Sequence, residues 1–571
     1  MTTSFEIIQE NKQRDTIEIV LSDGRVFSGP RFTPVENFMK KVQVPGQPLI
    51  VGAIVNHDLR ELTYQIEFDS KLQPVTMADA DGARIYRRSL IFLIEAAFDD
   101  LYPEATLTID HSVSSGGFFC QVSGRKPLSQ EELDRLDSRM RDLISANLRF
   151  ERRQVPLAEA IDYFEKKGHQ DKVRLLAYRQ KSHLVLYRLL DHQDYHHGYM
   201  VPSTGYLSIF GITKLGEGFV LQYPRRFMPN ELSPMPAYPM LLTTFRQYGD
   251  WLERLGIGSV GALNDAIKAG RIREIVLVSE ALHEQRIAEI ATQIASQADQ
   301  IRVVLISGPS SSGKTTFSKR LVVQLLAQGL SPYALELDNY FVDRELTPVD
   351  ENGQFDYEAL GALDLHLLND HLTRLINREA VQIPRYNFLT GRSEPGDMIQ
   401  LRSDQLIILE GIHGLNPDLI PRIPTEQTFR IYTSCLTQLN LDRHNRISTT
   451  DTRLLRRIIR DAKHRGYSAQ QTIQRWESVR RGEKRNIFPF QENANVMFNS
   501  ALVYELSVLK GVVEPLLRQV PYGVAEYIEA KRLLAFLEWF LPVETELIPD
   551  NSLLREFVGG SILEDFKVWQ G

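Results

Sequence analysis

Two cysteines in 571 residues, Cys120 and Cys435, lie far apart and match no metal-ligand spacing. So sparse a count excludes a disulfide scaffold and fits a reducing compartment. Long apolar runs are missing as well. No window approaches the ~18–20 uninterrupted apolar residues of a membrane span, and the most apolar late stretch, Leu533 to Leu541, is broken by Glu538. The opening residues MTTSFEIIQENKQR lack the apolar core of a secretory signal, so the expectation is a cytoplasmic protein with no membrane partner. There is no excess of positive charge: a net charge of −7 gives no global reason to bind nucleic acid. No fixed-period repeat and no low-complexity tract is found.

What is there is ordinary globular material, 43% hydrophobic and 24% charged, in a chain too long for one core. At roughly 100–200 residues per domain, three or four domains are expected. One stretch breaks the acidic balance. Residues 451–485 hold eleven Lys/Arg against four Asp/Glu, a local +7 that points to an anionic ligand.

The texture of the chain divides it into five parts. Residues 1–75 read as short strands around one helix, with IEIVLSDGRVFSG as a hairpin about Asp23-Gly24 and PVENFMKKV as an amphipathic helix. Residues 76–235 mix helices and strands, and Ser129 with Glu132 three residues on forms a capping-box signature. Four prolines between Pro229 and Pro239 mark a boundary. Residues 236–300 read as a helical linker and 301–510 as buried strands alternating with amphipathic helices, the pattern of a parallel α/β sheet. Residues 511–571 read as a helical extension. The fold class expected is therefore multidomain, α+β in front and α/β behind.

The strongest chemical signal is Gly308-Pro309-Ser310-Ser311-Ser312-Gly313-Lys314-Thr315, a full G-x-x-x-x-G-K-[ST] match, followed by Thr316. A buried strand, Arg302 to Ile306, precedes it and the helical FSKRLVVQLLAQG follows. Glycines let such a backbone curl so that its N–H groups point at a phosphate from a helix N-terminus. Lys314 is placed to reach the β- and γ-phosphates of ATP and Thr315 to ligand Mg²⁺. Leu406-Ile407-Ile408-Leu409-Glu410-Gly411, about 95 residues on, offers Glu410 as the second metal-facing group. Asp338 ends the strand-like Tyr333-Ala334-Leu335-Glu336-Leu337. An acid there can accept a hydroxyl proton while a γ-phosphoryl group is transferred in line.

At this point the residues resemble the uridine kinase and phosphoribulokinase family, whose members carry a catalytic Asp in a similar Asp-x-[FY]-[FY] segment. Gln354-Phe355-Asp356 resembles that family's Asn-Phe-Asp segment, and Ile383 to Phe388 its Pro-x-Tyr-Asp-Phe segment. Asp451-Thr452-Arg453-Leu454-Leu455-Arg456-Arg457 resembles its lid helix. The resemblance implies that Asp356 holds ribose hydroxyls and Tyr386 contacts a base. It also implies that Arg453 and Arg456, with Arg457 or Arg460, clamp phosphates. There are departures. Gly391 stands where uridine kinases carry a pyrimidine-reading His, Asn387 replaces an acid, and Phe341 replaces a substrate-touching Tyr. Ribose-like recognition is thus better supported than uracil recognition.

The front half resembles threonyl-tRNA synthetases, with residues 1–75 like the TGS domain and 76–235 like the second additional, editing-type domain. The matching stretches include LSQEELDRLDSRMRDLI and DHQDYHHGYMVPSTG. The resemblance places the synthetase His-x-x-x-His pair on Arg88 and Phe92, its Cys near His196 and its last His near Met200. Three of those four side chains can no longer be ligands, so neither editing nor any stoichiometric zinc is expected. His192, His196 and His197 keep close spacing with acids nearby. Solvated or core histidines are the first reading of them and a metal site the lesser one.

The reading that follows is an enzyme, an ATP- and Mg²⁺-dependent phosphotransferase acting on the 5′-hydroxyl of a nucleoside. A kinase of another small alcohol, of phosphoribulokinase or pantothenate kinase type, is the near alternative. A second class is an RNA- or nucleotide-binding regulator that uses the kinase fold as a switch. An RNA contact through the front half and a homo-oligomer both stay open.

Overall fold

The computed structural model describes residues 14–113, 116–235, 238–349, 353, 355–387 and 389–568. Residues 1–13, Pro236, Gln354, Phe388 and the final residues 569–571 of the segments read above lie outside the described residues. Two compact units emerge. The first comprises Met1–Ala160, Lys181–Met235 and Tyr522–Ile528, the second Ile161–Gln180, Pro236–Pro521 and Glu529–Gly571. No helix among the described residues is long and apolar enough to cross a membrane.

In the first unit, the alternation of TIEIVL buries Ile17, Ile19 and Leu21 on one face of strand Thr16–Leu21. That strand turns through Asp23-Gly24 into Val26–Pro30, antiparallel, and pairs in parallel with Ser70–Thr76. Ile50–Val55 and Asp58–Glu61 complete a five-stranded sheet. Helix Val35–Val42 packs Val35, Phe38 and Met39 against it, which is a β-grasp arrangement. Next comes the helix Ala80–Leu101, most of whose side chains are buried, with a four-stranded antiparallel sheet and a three-stranded one. The capping box forms as the spacing predicts: Ser129 Oγ accepts the Glu132 N–H at 3.2 Å, and the Glu132 carboxylate accepts the Ser129 N–H at 2.9 Å.

The second unit is built on five parallel strands: β1 (Val303–Ser307), β2 (Ser331–Glu336), β3 (Gln405–Glu410), β4 (Thr428–Ser434) and β5 (Val496–Asn499). Their order in the sheet is β2-β3-β1-β4-β5, every neighbouring pair parallel. β1 is buried throughout, as expected of a central strand covered on both faces. One face is packed by α1 (Lys314–Ala327) through Phe317, Leu321 and Leu325, the other by Leu368, Leu372 and Leu375. The segment expected as a helical linker holds helices Pro239–Leu255, Val260–Lys268 and Ile272–Ala295. The last of these adds Ile287, Ile290 and Ile294 to the core of this unit. Ile161–Gln180 also joins it, although the sequence groups it with residues 76–235. Its helix Gln170–Leu176 packs on Val260–Lys268, where Gly261 lets the Leu175 backbone come close, and fully buried Lys172 pairs with Asp442 at 3.0 Å while Arg443 grips Asp171 at 2.6 Å.

Candidate active site

The loop between β1 and α1 is shaped by what Gly308 leaves out. A Cβ at that position would stand 1.9 Å from the Thr433 carbonyl oxygen, so only glycine lets the loop leave β1 against β4. Ser311 adopts a left-handed φ of 57°, and the hydroxyls of Ser311 and Ser312 are buried with no hydrogen-bond partner. Unsatisfied donors at a helix N-terminus are the expected state of a phosphate cradle without its phosphate. Lys314 folds back across the loop, its Nζ donating to the Pro309 carbonyl at 3.3 Å.

Two carboxylates already lie on this loop. Glu483, from α3 (Ala469–Asn486), accepts the Ser310 N–H at 3.0 Å. Glu556, from the C-terminal turn Arg555–Val558, accepts from the Thr316 hydroxyl at 2.9 Å and from the Thr316 N–H at 3.4 Å. Both do what a phosphate oxygen would do at a helix N-terminus. Nothing local in the sequence announces them, because each is brought in from far along the chain.

The lid-like helix α2 (Thr449–His464) lies directly on the loop. Arg453 donates through Nε to the Ser310 carbonyl at 2.9 Å, pairs closely with Glu483, and lies 5.4 Å from the Trp476 ring centroid. Arg457 donates to Ser310 Oγ at 2.7 Å. Arg456 is placed differently. It is fully buried, with its guanidinium on Glu505 at 2.7 Å and on the Ser500 carbonyl at 2.9 Å. That geometry locks α2 to the unit, and Arg456 Nη1 also reaches the loop, donating to the Ser311 carbonyl at 3.5 Å. The local excess of positive charge is partly met within the lid, since Asp461 takes Arg457, Arg460 and Arg465 at 3.2–3.4 Å.

Acids converge on Lys314. Thr315 Oγ donates to Glu410 Oε2 at 3.3 Å. Burial pushes the Glu410 carboxyl up to about 7; Lys314 opposes the rise, and Asp338, Glu556 and Glu336 add to it. Glu358 is likewise pushed up to about 7, by burial and then by the Glu483 charge, against Arg457 and Lys314. Asp338 keeps one side open to solvent while protein crowds the other. That crowding raises its carboxyl above the ordinary range, against Lys314, Arg465 and Arg460. A hydroxyl and a set of mutually repelling carboxylates beside a phosphate loop fit a hard divalent cation, which relieves that repulsion.

On the acceptor side, Phe341 and Tyr386 face each other with ring centroids 5.5 Å apart. Gly391, where the sequence lacks the expected His, has φ 73°, and a Cβ there would meet the Arg344 guanidinium at 2.7 Å. The vacated volume is therefore filled by Arg344, a residue that motif reading missed. Asp356 Oδ1 accepts the Glu358 N–H at 3.1 Å, and its Oδ2 lies 3.6 Å from Arg485.

In the first unit, the positions mapped from the synthetases are refilled. Arg88 donates to the Tyr199 carbonyl at 2.6 Å, and Phe92 and Met200 are core residues. His192 lies beyond Phe92, with ring centroids 5.2 Å apart.

The family described as "Phosphoribulokinase / Uridine kinase family" matches residues 303–507. Toward the front, the chain is similar to the threonine–tRNA ligase of Clostridium kluyveri, 30% identical over 190 residues, which are 33% of this chain and 30% of the ligase. The ligase of an Azoarcus species is 34% identical over 160 residues, 28% of this chain and 25% of the ligase. The chain thus spans about a third or less of the length of these curated relatives. Among solved structures, a possible uridine kinase from Bacillus stearothermophilus covers 38% of this chain and 98% of its own, at 18% identity and TM-score 0.27. D-glycerate 3-kinase from Cryptococcus neoformans covers 44% and 87%, at 13% identity and TM-score 0.21. Residues 303–507 of the second unit carry a P-loop kinase domain of the phosphoribulokinase and uridine kinase family.

Proposed function

We propose that this chain transfers the γ-phosphoryl group of ATP to the 5′-hydroxyl of a nucleoside-like alcohol. The observation that carries the reading is Asp338, in the turn Leu337–Tyr340 just past β2, where burial raises its carboxyl against the charge of Lys314. A carboxyl raised by burial is a stronger base toward the acceptor hydroxyl. The acceptor oxygen attacks the γ-phosphorus, its proton passes to Asp338, and the bond between that phosphorus and the β–γ bridging oxygen breaks to release ADP. The loop N–H groups, the Ser311 and Ser312 hydroxyls and Lys314 hold the phosphates, and Thr316 sits where an α-phosphate oxygen would replace Glu556. Arg453 and Arg457 turn from Ser310 and Glu483 toward the transferring group. Thr315 and Glu410 would hold Mg²⁺, which would supply charge neutralisation for the transferring phosphoryl group. Asp356 and Tyr386 line the acceptor side, where ribose hydroxyls and a flat group are accommodated.

Gly391 has no side chain to read a base edge, and Arg344 beside it offers donors but no acceptor, which supports weak discrimination between bases. Polar readout of a base can reach ~10⁴-fold, so here uridine is expected to exceed adenosine and guanosine by less than ~10³ in kcat/KM. The same lack of a base-reading side chain at Gly391 keeps other small alcohols within the reading. A second reading, a nucleotide-binding switch whose front half contacts RNA, is favoured by Glu483 and Glu556 already meeting loop donors. ATP consumption across a panel of nucleosides and small alcohols separates the readings. Acceptor-dependent turnover supports the kinase, and tight ATP binding without acceptor-dependent turnover supports the switch.

A further inference from the structure

Within the first unit, outside any kinase chemistry, three metal-capable side chains meet in the core and a fourth, His196, approaches them at Glu95. Glu95 projects from the helix Ala80–Leu101, and His192 and Asp194 from the strand His192–Asp194. Each of the three presents one ligand atom, and those atoms all lie within 4.8 Å of one another. His192 Nε2 is 3.1 Å from Glu95 Oε2. His196 Nε2 is 3.4 Å from the same oxygen, yet it makes no hydrogen bond although its side chain is only 2% exposed. A buried imidazole nitrogen aimed at a buried carboxylate without bonding it is a position that calls for a third atom.

We propose that Glu95, His192, Asp194 and His196 form a buried site for one zinc-class divalent transition-metal ion. Tetrahedral coordination with bonds of about 2.0–2.1 Å places neighbouring donor atoms about 3.3–3.4 Å apart. The two measured separations, 3.1 and 3.4 Å, straddle that edge length. The second sphere is also present. Asp99 lies 2.7 Å from His192 Nδ1, so that nitrogen keeps its proton and leaves the Nε2 lone pair for the ion. Two buried carboxylates beside two imidazoles supply negative charge that a divalent ion balances. Imidazole donors and a small ligand count select zinc, cobalt or iron over magnesium and calcium, which want six or more oxygens. The donor set is not the one mapped from the synthetases: Arg88, Phe92 and Met200 contribute nothing, and Glu95 enters from one turn further along the same helix. Four protein ligands close the shell, so the ion pins this helix to the segment 192–196 and performs no hydrolysis.

The test uses the full chain, stripped with chelator and titrated with Co²⁺ and Zn²⁺ in excess Mg²⁺, which fills the kinase cleft. The expected result is one equivalent bound, with the intense visible absorption of tetrahedral cobalt and a higher melting temperature in Zn²⁺. His192→Asn and His196→Asn, each checked for native circular dichroism, are expected to lose the equivalent, while Thr315→Ala keeps it. Should the variants not fold, X-ray absorption of the zinc-loaded native chain decides, with two imidazoles and two carboxylate oxygens expected. No stoichiometric binding, or binding that survives both histidine substitutions, or a shell without imidazole, overturns the proposal. The cluster is then a protonated hydrogen-bond network.

Discussion

The phosphate loop of the second unit and the refilled cleft of the first make an instructive pair. Around the loop, every motif residue stands in place and the donors are unsatisfied or borrowed: Ser311 and Ser312 hydroxyls without partners, Ser310 and Thr316 lent to Glu483 and Glu556. In the front cleft three of the four mapped positions are filled by the protein itself, Arg88 bonding the Tyr199 carbonyl, Phe92 packing on the Phe150 and Tyr187 rings at 5.4 and 6.4 Å, and Met200 entering the core. The fourth, His196, keeps a buried Nε2 without a hydrogen bond. A site kept for a ligand pays in unsatisfied polar groups, whereas a site that has lost its ligand closes over with side chains. Retained motif letters matter less than whether their polar atoms are still waiting.

The sharpest way to break this comparison is at the two ends of the transfer. Asp338→Asn is expected to cut phosphotransfer at least ~10²-fold while ATP affinity stays near native. Lys314→Ala is expected to cut it by a similar ~10²-fold and to weaken ATP as well. Steady-state kinetics with a nucleotide-binding titration reads both, and near-native turnover in Asp338→Asn removes it from the base role. Arg88→Ala, on the other side of the comparison, is expected to leave kinase kcat unchanged. A fall there of more than about tenfold would tie the front cleft to the chemistry.

A smaller effect is expected at the borrowed donors. Glu556→Ala frees the Thr316 N–H and hydroxyl, so ATP is expected to bind roughly tenfold more tightly, the scale of one hydrogen bond to a charged group. Fluorescence titration with a nucleotide analogue measures it. Weaker binding would mean that Glu556 supports the loop and does not compete at it.

The smallest effect is a slope of stability with pH. The Glu358 and Glu410 carboxyls stand near 7 in the folded chain against an ordinary 4.5. Between those values the folded state holds protons that the unfolded state has released, so stability falls as pH rises through that window. The melting temperature of the nucleotide-free chain is expected to drop from pH 5 toward pH 7 by a few degrees, and Glu358→Gln is expected to flatten the slope. A melting temperature that rises over this range contradicts the charge crowding described around Lys314.

What the sequence made legible is what is local. The hairpin at Asp23-Gly24, the Ser129–Glu132 capping box and the strand–loop–helix about Lys314 each depend on residues a few positions apart. Their physics is therefore written in one stretch of chain. Parallel order in the kinase sheet followed from apolar strands alternating with helices, and Glu410 and Asp338 from their places at strand ends. The missed residues act at a distance. Glu483 meets Ser310 from 173 residues away and Glu556 meets Thr316 from 240, with no periodic or motif signal in either segment. Arg344 filling the space beside Gly391 was hidden for the same reason. Arg456 illustrates the converse: its motif spacing was visible, but its burial against Glu505 was not. Ile161–Gln180 joins the second unit through helix packing and a buried Lys172–Asp442 pair, both formed with residues far along the chain.

The central claim is that the second unit moves a phosphoryl group to an alcohol through Asp338. Its most direct test is ADP formation by the full chain with Mg²⁺ and ATP, recorded with and without each member of a nucleoside and small-alcohol panel, for the native chain and Asp338→Asn. The account predicts that at least one ribose-bearing acceptor raises ADP formation well above the acceptor-free rate, with equimolar phosphorylated product, and that Asp338→Asn abolishes the increment. An ADP rate indifferent to every acceptor, or an increment that survives in Asp338→Asn, would contradict it.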